Sequence, residues 1–337
     1  MPATTATILP THTPALFAAA VSAAARRLRE GDVVALPTET VYGLAANAFS
    51  AAAVEKIYAV KDRPAANPLI VHVANQAMAA ACVSDFPPLA EKLARAFWPG
   101  PLTLVLPRSE KIPPIVTAGG PTVAIRWPSH PFIQAVIRAC DFPLAAPSAN
   151  LANQISPTSA LHVAKSLGHK ISLIIDGGQS QVGIESTVLD LTCQPPRILR
   201  PGIIHAESLL AVTGALAGND TADPDVLRSP GQFKKHYAPR ARLLILDWSD
   251  AADLQEKIHA AGETEGGTQV IAHTRIPFSP AFSRVSVIPH DVEAFARAIY
   301  AELHQADDSG ARLIVIEKLP EGPAWQGIAD RLTRAAS

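Results

Sequence analysis

The sequence predicts an α/β protein of two domains: a larger N-terminal domain on a twisted mixed sheet, then a linker and a smaller C-terminal α/β domain. Three observations predict it: a length beyond one core, an alternation of β-rich runs with helical stretches, and a change of texture two thirds of the way along. At 337 residues the chain is longer than one hydrophobic core usually serves. Runs rich in β-branched and apolar residues at Val33–Pro37, Leu69–Val73, Leu102–Leu106, Thr122–Arg126, Ser172–Asp176 and Ser186–Leu191 read as strands. Helical stretches at Ala51–Lys61, Leu89–Trp98, Pro131–Ala139 and Thr158–Leu167 alternate with them. Some connections are of hairpin length and others of crossover length, so a mixed sheet is expected.

The texture changes after about residue 205, where the Gly/Ala/Asp-rich stretch Thr213–Asp225 leads into Arg228–Pro239 without hydrophobic periodicity. Residues 213–240 therefore read as a linker between domains spanning 1–212 and 241–337. In the second domain Arg242–Asp247, Gln269–His273 and Leu313–Glu317 read as strands, with helices at Ala251–Ala261, Val292–His304 and Ile328–Ala336.

Composition narrows the function classes. Forty-eight per cent of the residues are hydrophobic, enough to bury cores, yet no uncharged apolar run approaches the roughly 20 residues of a membrane-spanning helix. Ala15–Ala25 has no basic residues before it and runs into Arg26-Arg27, so it reads as an amphipathic first helix, not a signal peptide. Three cysteines without a C-x-x-C pair indicate neither a disulfide framework nor a zinc ribbon, which fits a reducing cytoplasm. Residues 1–212 hold 16 Lys/Arg against 13 Asp/Glu, a net +3, whereas residues 241–337 are net −5. So small a positive excess suits a small anionic ligand better than the many phosphate contacts of a polynucleotide.

Neither G-x-x-x-x-G-K-[ST] nor G-x-G-x-x-G occurs, so a nucleotide site would need another cradle. Five polar clusters at strand–loop junctions qualify. Pro37-Thr-Glu-Thr-Val-Tyr-Gly-Leu44 ends a strand and presents two hydroxyls, a carboxylate and a phenol; it is either a site or a polar turn with satisfied hydroxyls. Lys61-Asp-Arg-Pro-Ala-Ala-Asn-Pro68 is either a solvated loop or a stiff one whose Arg fork grips phosphate while Lys supplies a point charge. Thr122, Ala124 and Arg126 alternate onto one strand face, where the arginine needs an anion and a substrate carboxylate would serve. Pro147-Ser-Ala-Asn150 with Ser156-Pro-Thr158 is a hydroxyl-rich turn that offers backbone N–H groups to phosphate, or else an ordinary helix start with Thr158 as N-cap. Gly183-Ile-Glu-Ser-Thr187 with Leu199-Arg-Pro-Gly202 adds a hydroxyl pair and another arginine.

Eleven histidines occur without H-E-x-x-H or Cys/His ligand spacing, so no metal site is read and His72 is first of all a strand residue. No G-x-S-x-G elbow marks a serine hydrolase. Hydroxyls with scattered Lys and Arg point to catalysis by positioning and charge stabilisation, as in phosphoryl and nucleotidyl transfer.

In this order the five strings resemble the YrdC-like family of threonylcarbamoyl-AMP synthases over essentially the whole chain. Ser229-Pro-Gly231 and His236-Tyr-Ala-Pro239 look like the linker of its two-domain branch, and Gly327–Ala336 resembles the end of a C-terminal Rossmann-like domain. The resemblance implies a nucleotidyltransferase that joins L-threonine, bicarbonate-derived carbon dioxide and ATP into an adenylated carbamate, releasing pyrophosphate. The product would supply a downstream tRNA threonylcarbamoyl transferase, so that direct tRNA binding by this chain is not required. Carried over by position, Thr40, His72, Arg126, Ala146 and Ser186 would hold threonine. Arg63, Asn67, Thr122, Ser148, Ser156, Arg200 and Tyr237 would hold ATP, with Lys61 and Arg63 at the reacting phosphates. Tyr237 with His236 would cover the nucleotide, and Mg²⁺ would ride on the ATP phosphates with no structural metal in the protein. Ala152-Asn153 stands where the family often has Ser-Gly, and Gln232 and Lys234 replace a commoner Met and Tyr.

Two other readings belong to different classes. A carbamoyl-transfer relative would carry acylphosphatase and zinc-finger segments, which the sequence lacks. An RNA-binding module would show basic runs with interleaved aromatics, and four Trp and four Tyr in the whole chain supply none.

Overall fold

The computed structural model describes residues 5–218 and 237–337. Most of the expected linker, with Ser229-Pro-Gly231, Gln232, Lys234 and His236, lies outside the described residues. Two compact units are present. The first takes in residues 5–152, 156–181 and 185–218; the second takes in 237–337 with the short stretches Asn153–Ile155 and Val182–Ile184. Among the described residues no helix is long and apolar enough to cross a membrane.

In the first unit the strands are β1 (Thr7–Pro10), β2 (Val34–Leu36), β3 (Gly43–Asn47), β4 (Ile70–His72), β5 (Leu102–Pro107), β6 (Thr122–Arg126), β7 (Leu144–Ala145), β8 (Leu173–Asp176), β9 (Thr187–Asp190) and β10 (Arg197–Arg200). They form one mixed sheet in the order β1-β8-β2-β3-β7-β4-β6-β5-β9-β10. The helices are α1 (Pro14–Arg29), α2 (Ala51–Lys61), α3 (Gln76–Cys82), α4 (Pro88–Phe97), α5 (Pro131–Cys140), α6 (Ala160–Leu167) and α7 (Ala206–Thr213). Every sequence-predicted element of this unit is present. β1, β3, β7 and β10 were not legible because they are short or, like Gly43-Leu-Ala-Ala-Asn47, poor in β-branched residues.

Side-chain alternation divides the sheet into two faces. Ala35, Leu44, Val71, Ile125, Leu104 and Leu189 point to one, where they form the main core with residues of α2, α3, α4, α6 and α7. On the other face α1 and α5 pack over Val34, Leu36, Ala45, Leu144, Leu173 and Ile175. Phe17 of α1 meets Phe132 of α5 edge to face, with ring centroids 5.1 Å apart. Full burial of a side chain such as Phe132 stabilises by roughly 1.5–3 kcal/mol. Thr13 caps α1 by accepting from the Leu16 amide at 3.3 Å, and Pro14 takes the first turn. These helices cover only the β1-to-β7 half of their face. Over β4, β6, β5 and β9 the same face carries a small patch of Ile70, Val105, Ala124 and Val188. That patch is the floor on which the polar clusters stand.

Local chemistry sets the loops around it. Ser50 caps α2 at one end, and Asp62 at the other adopts the left-handed conformation with φ 50°, turning the chain sharply between Lys61 and Arg63. Ser159, not the expected Thr158, caps α6 by accepting from the His162 amide; Thr158 lies one residue upstream, where its hydroxyl is 3.3 Å from His162 Nδ1. A Cβ at Gly202 would come within 2.6 Å of the Thr187 amide, so glycine lets the chain after Arg200 lie directly on residues 185–187.

The second unit is a parallel sheet in the order β11-β14-β12-β13, made of β11 (Arg242–Leu246), β12 (Thr268–Ala272), β13 (Arg284–Val287) and β14 (Leu313–Glu317). Its helices are α8 (Ala251–Ala260), α9 (Val292–Asp308) and α10 (Gln326–Ala335). Asn153 belongs to this unit and sits at φ 65°, the conformation for which glycine is the usual choice and which Asn tolerates best among the rest. The Asn substitution thus keeps the turn, and its carbonyl accepts from the Ala238 amide at 2.9 Å.

Candidate active site

Strand register decides which polar side chains share the face of the Ile70–Val188 patch. His72 pairs with Arg126, Ile70 and Val105 with Ala124, and Thr103 with Val188. Thr122 and Arg126 therefore share the face of Ala124, as alternation predicts. Arg200 reaches that face by an irregularity. The β9–β10 register shifts between Ile198 and Arg200, so that Arg200 pairs with Val188. A bulge adds one residue and returns the next side chain to the other face.

Arg126 is held on three sides. Its Nε donates to the Gly100 carbonyl at 3.2 Å, its Nη1 to Thr40 Oγ1 at 2.9 Å, and its Nη2 lies 2.7 Å from Glu39 Oε1. Both side chains of the ion pair are 4% exposed, so one anionic partner of this arginine comes from within the chain. Glu39 Oε1 also accepts from the Ser129 amide at 2.9 Å. Burial pulls the Glu39 pKa upward, but the Arg126 charge and the Ser129 amide outweigh it and hold the carboxyl below its ordinary value. His72 is buried, and that burial, aided by the Arg126 charge, lowers its pKa to about 3, so the ring is neutral at physiological pH. Its Nδ1 has no hydrogen-bond partner among the described residues. Thr40 is aligned by Thr38, whose Oγ1 lies 2.9 Å away and donates to the Val41 carbonyl at 2.7 Å.

A second group adjoins the first. One residue beyond the Leu104–Ile125 pair, Thr103 stands next to Arg126 across β5 and β6. Thr103 Oγ1 is 2.8 Å from Ser186 Oγ, which also accepts from Arg200 Nη2 at 3.1 Å. Ser156 Oγ donates to Glu185 Oε1 at 2.5 Å. Ala146, immediately after β7, donates its amide to the Ile70 carbonyl at 3.0 Å.

The basic loop is more internally engaged than its sequence suggests. Lys61 is 1% exposed, and its ammonium donates to the carbonyls of Ser148 and Asn150. Burial, and then the Arg63 charge, push its pKa well below the usual lysine value. Arg63 donates to the carbonyls of Asn67 at 3.1 Å and Pro68 at 2.8 Å, which folds the 63–68 loop onto itself. Ser148 forms an isolated antiparallel bridge with Gly43, so the turn after β7 is tied both to the Thr40 loop and to Lys61.

Thr40, His72, Arg126 and Ser186 thus gather with Thr122 and Arg200 on one sheet face, while Lys61, Arg63, Asn67 and Ser148 belong to the loops beside it. Tyr237 belongs to the second unit, where its ring stacks on Tyr300 at 6.1 Å and the Arg331 guanidinium lies 5.5 Å from its centroid. Sequence reasoning assigned no role to Glu39, Thr103 or Glu185. A signal existed for Thr103, the lone hydroxyl in Leu-Thr-Leu-Val-Leu, but its partner Ser186 is 83 residues away.

In the second unit, the carboxyl end of the parallel sheet is closed by its own side chain. Glu317, the last residue of β14, accepts from the amides of His273 at 2.7 Å, Thr274 at 2.9 Å and Arg275 at 3.2 Å. Open α/β sheets often offer such amides to ligand anions; here a carboxylate of the chain takes them. Among the described residues no three or more His, Cys, Asp or Glu are grouped so as to hold a metal ion.

Comparison with known proteins adds to this geometry. A family model for Sua5, YciO and YrdC, described as telomere recombination, matches residues 26–202, and one described as the threonylcarbamoyl-AMP synthase C-terminal domain matches residues 204–337. The chain is 39% identical to a threonylcarbamoyl-AMP synthase of Pyrococcus abyssi over 93% of both chains. It is 41% identical to that of Bacillus subtilis, over 94% of this chain and 92% of the relative. It superposes on the crystal structure of P. abyssi Sua5 complexed with L-threonine with a TM-score of 0.86, at 39% identity over 94% of each chain.

Proposed function

The chain belongs to the Sua5/YciO/YrdC family, and from that premise we propose that it is a threonylcarbamoyl-AMP synthase working at the face that carries Arg126. The observation that carries the reading is the convergence of Thr40, His72 and Arg126 on one sheet face, with Ser186 and Arg200 adjoining. Arg126 takes the carboxylate of L-threonine, and Thr40, neutral His72, the Ala146 backbone and Ser186 surround the rest of the molecule. Arg63, Asn67, Thr122, Ser148, Ser156 and Arg200 receive ATP, with Lys61 at its phosphates. Residues 1–212 form the catalytic domain, 213–240 the linker and 241–337 the C-terminal domain.

In the reaction, one proton of the threonine ammonium goes to bicarbonate, which loses water to give CO₂; the amine nitrogen attacks the CO₂ carbon, and a second N–H proton passes to solvent as the carbamate forms. A carbamate oxygen then attacks the α-phosphorus of ATP; the bond to the bridging oxygen breaks and pyrophosphate leaves. The residues act by orientation and charge. Arg126, with Glu39 beside it, fixes the amino acid, and Arg200 and Arg63 offset the charge that builds on the phosphates. Mg²⁺ carried by ATP would supply further neutralisation of phosphate charge, beside Arg63 and Arg200. The reading carries with it a cytoplasmic location and a downstream transferase that moves the threonylcarbamoyl group to an adenosine of tRNA.

The test is incubation with ATP, Mg²⁺, threonine and bicarbonate, omitting each in turn, while pyrophosphate and the adenylate mass are followed. Release that needs both threonine and bicarbonate, with the matching adenylate, is expected. Release with ATP alone, or none at all, sinks the reading.

A further inference from the structure

One oxygen of the Glu39–Arg126 pair is buried and unpartnered. Oε1 of Glu39 is engaged by Arg126 Nη2 and the Ser129 amide, whereas Oε2 is buried with no hydrogen-bond partner among the described residues. A buried carboxylate oxygen without a donor is costly, and such an atom at a binding face marks the place of a donor from the ligand. The adjacent residue, Thr40, accepts from the same guanidinium, so the unpartnered oxygen and the threonine hydroxyl flank one arginine. The pair forms a buried dipole with no net charge. A bare carboxylate meeting it would be drawn by Arg126 and repelled by Glu39. An amino acid zwitterion presents charges of both signs and matches it at both ends.

Resting on the reading that Arg126 takes the substrate carboxylate, we propose that Glu39 is a specificity-determining binding residue whose Oε2 accepts from the substrate α-ammonium, so that the site selects zwitterionic amino acids over simple hydroxy acids. Its depressed pKa keeps the carboxylate charged at neutral pH. The role is that of a binding group and not of a base, because a carboxylate so stabilised is a poor proton acceptor.

The experiment compares the full-length protein with its Glu39→Gln variant, which keeps the size and the acceptor facing the Ser129 amide. Calorimetry measures L-threonine, 3-hydroxybutanoate (threonine without its amino group) and ATP. In the variant, threonine is expected to weaken at least tenfold while 3-hydroxybutanoate binds no worse or more tightly, so the preference for threonine falls by about tenfold or more, with ATP affinity retained. A variant that keeps the wild-type preference, whether it binds both as before, both more weakly or neither, overturns the proposal. Arg126→Ala separates the two levels: if it leaves threonine affinity unchanged, the reading of the site fails first. If it weakens threonine while Glu39→Gln leaves the preference intact, only the role of Glu39 fails.

Discussion

Arg200 holds Ser186 at two atoms, its Nε donating to the Ser186 carbonyl and its Nη2 to the Ser186 hydroxyl, both at 3.1 Å. The hydroxyl is shared with Thr103 at 2.8 Å. Ser186→Ala therefore disturbs two buried groups at once. A stability loss of about 1–3 kcal/mol is expected from the disrupted hydrogen bonding, together with a several-fold weaker threonine affinity. Thermal melting and calorimetry read the two effects; an unchanged melting temperature would mean that the hydroxyl network contributes nothing net.

Arg126→Ala removes the cation from a pair whose partner stays buried. Breaking such a pair costs about 3–5 kcal/mol, because an uncompensated charge remains. Threonine binding is expected to fall at least tenfold while ATP binding stays nearly intact. Equal losses for both ligands would show that the arginine supports the fold of the face and not one substrate.

His72 makes stability depend on pH. Its folded-state pKa of about 3 lies below the ordinary value of 6.5, so as pH falls the unfolded chain takes up this proton first. The contribution of the neutral ring is complete above pH 6.5 and is lost progressively toward pH 3. Glu39, whose pKa is also depressed, adds a loss in the same direction but only below its unfolded value of 4.5. Urea midpoints at pH 7, 5.5 and 4.5 are expected to decline for the wild type and to stay flatter for His72→Gln. Parallel declines would show that His72 does not titrate with unfolding.

Lys61 ties α2 to the turn at Ser148 and Asn150. In Lys61→Met the stem volume is kept and both bonds to carbonyls are lost. A drop in kcat of tenfold or more is expected, with faster amide exchange over residues 148–152. Normal turnover with loosened amides would make the lysine a brace for the turn and not a contact to phosphate.

Much of the site was readable because its residues come in short strings. The side-by-side placement of Thr122 and Arg126 follows from period-2 alternation, which is local geometry and needs no fold. The placement of Arg200 was not readable, because the shift between Ile198 and Arg200 depends on how β10 pairs with β9. Glu39 stood in plain view between two threonines, but its partner is 87 residues away, and no spacing along the chain reports that contact.

The sequence by itself determined the α/β class, the two sheets and the residue types at the face, because hydrophobic period, capping residues and turn residues act over a few positions. Only the tertiary structure decided what each cation holds: Arg126 holds Glu39, Thr40 and Gly100; Lys61 holds the turn after β7; Arg200 holds Ser186. The reason is electrostatic. A buried charge takes the nearest oppositely polarised group in space, and which group is nearest depends on strand order and register, set by the packing of the whole sheet.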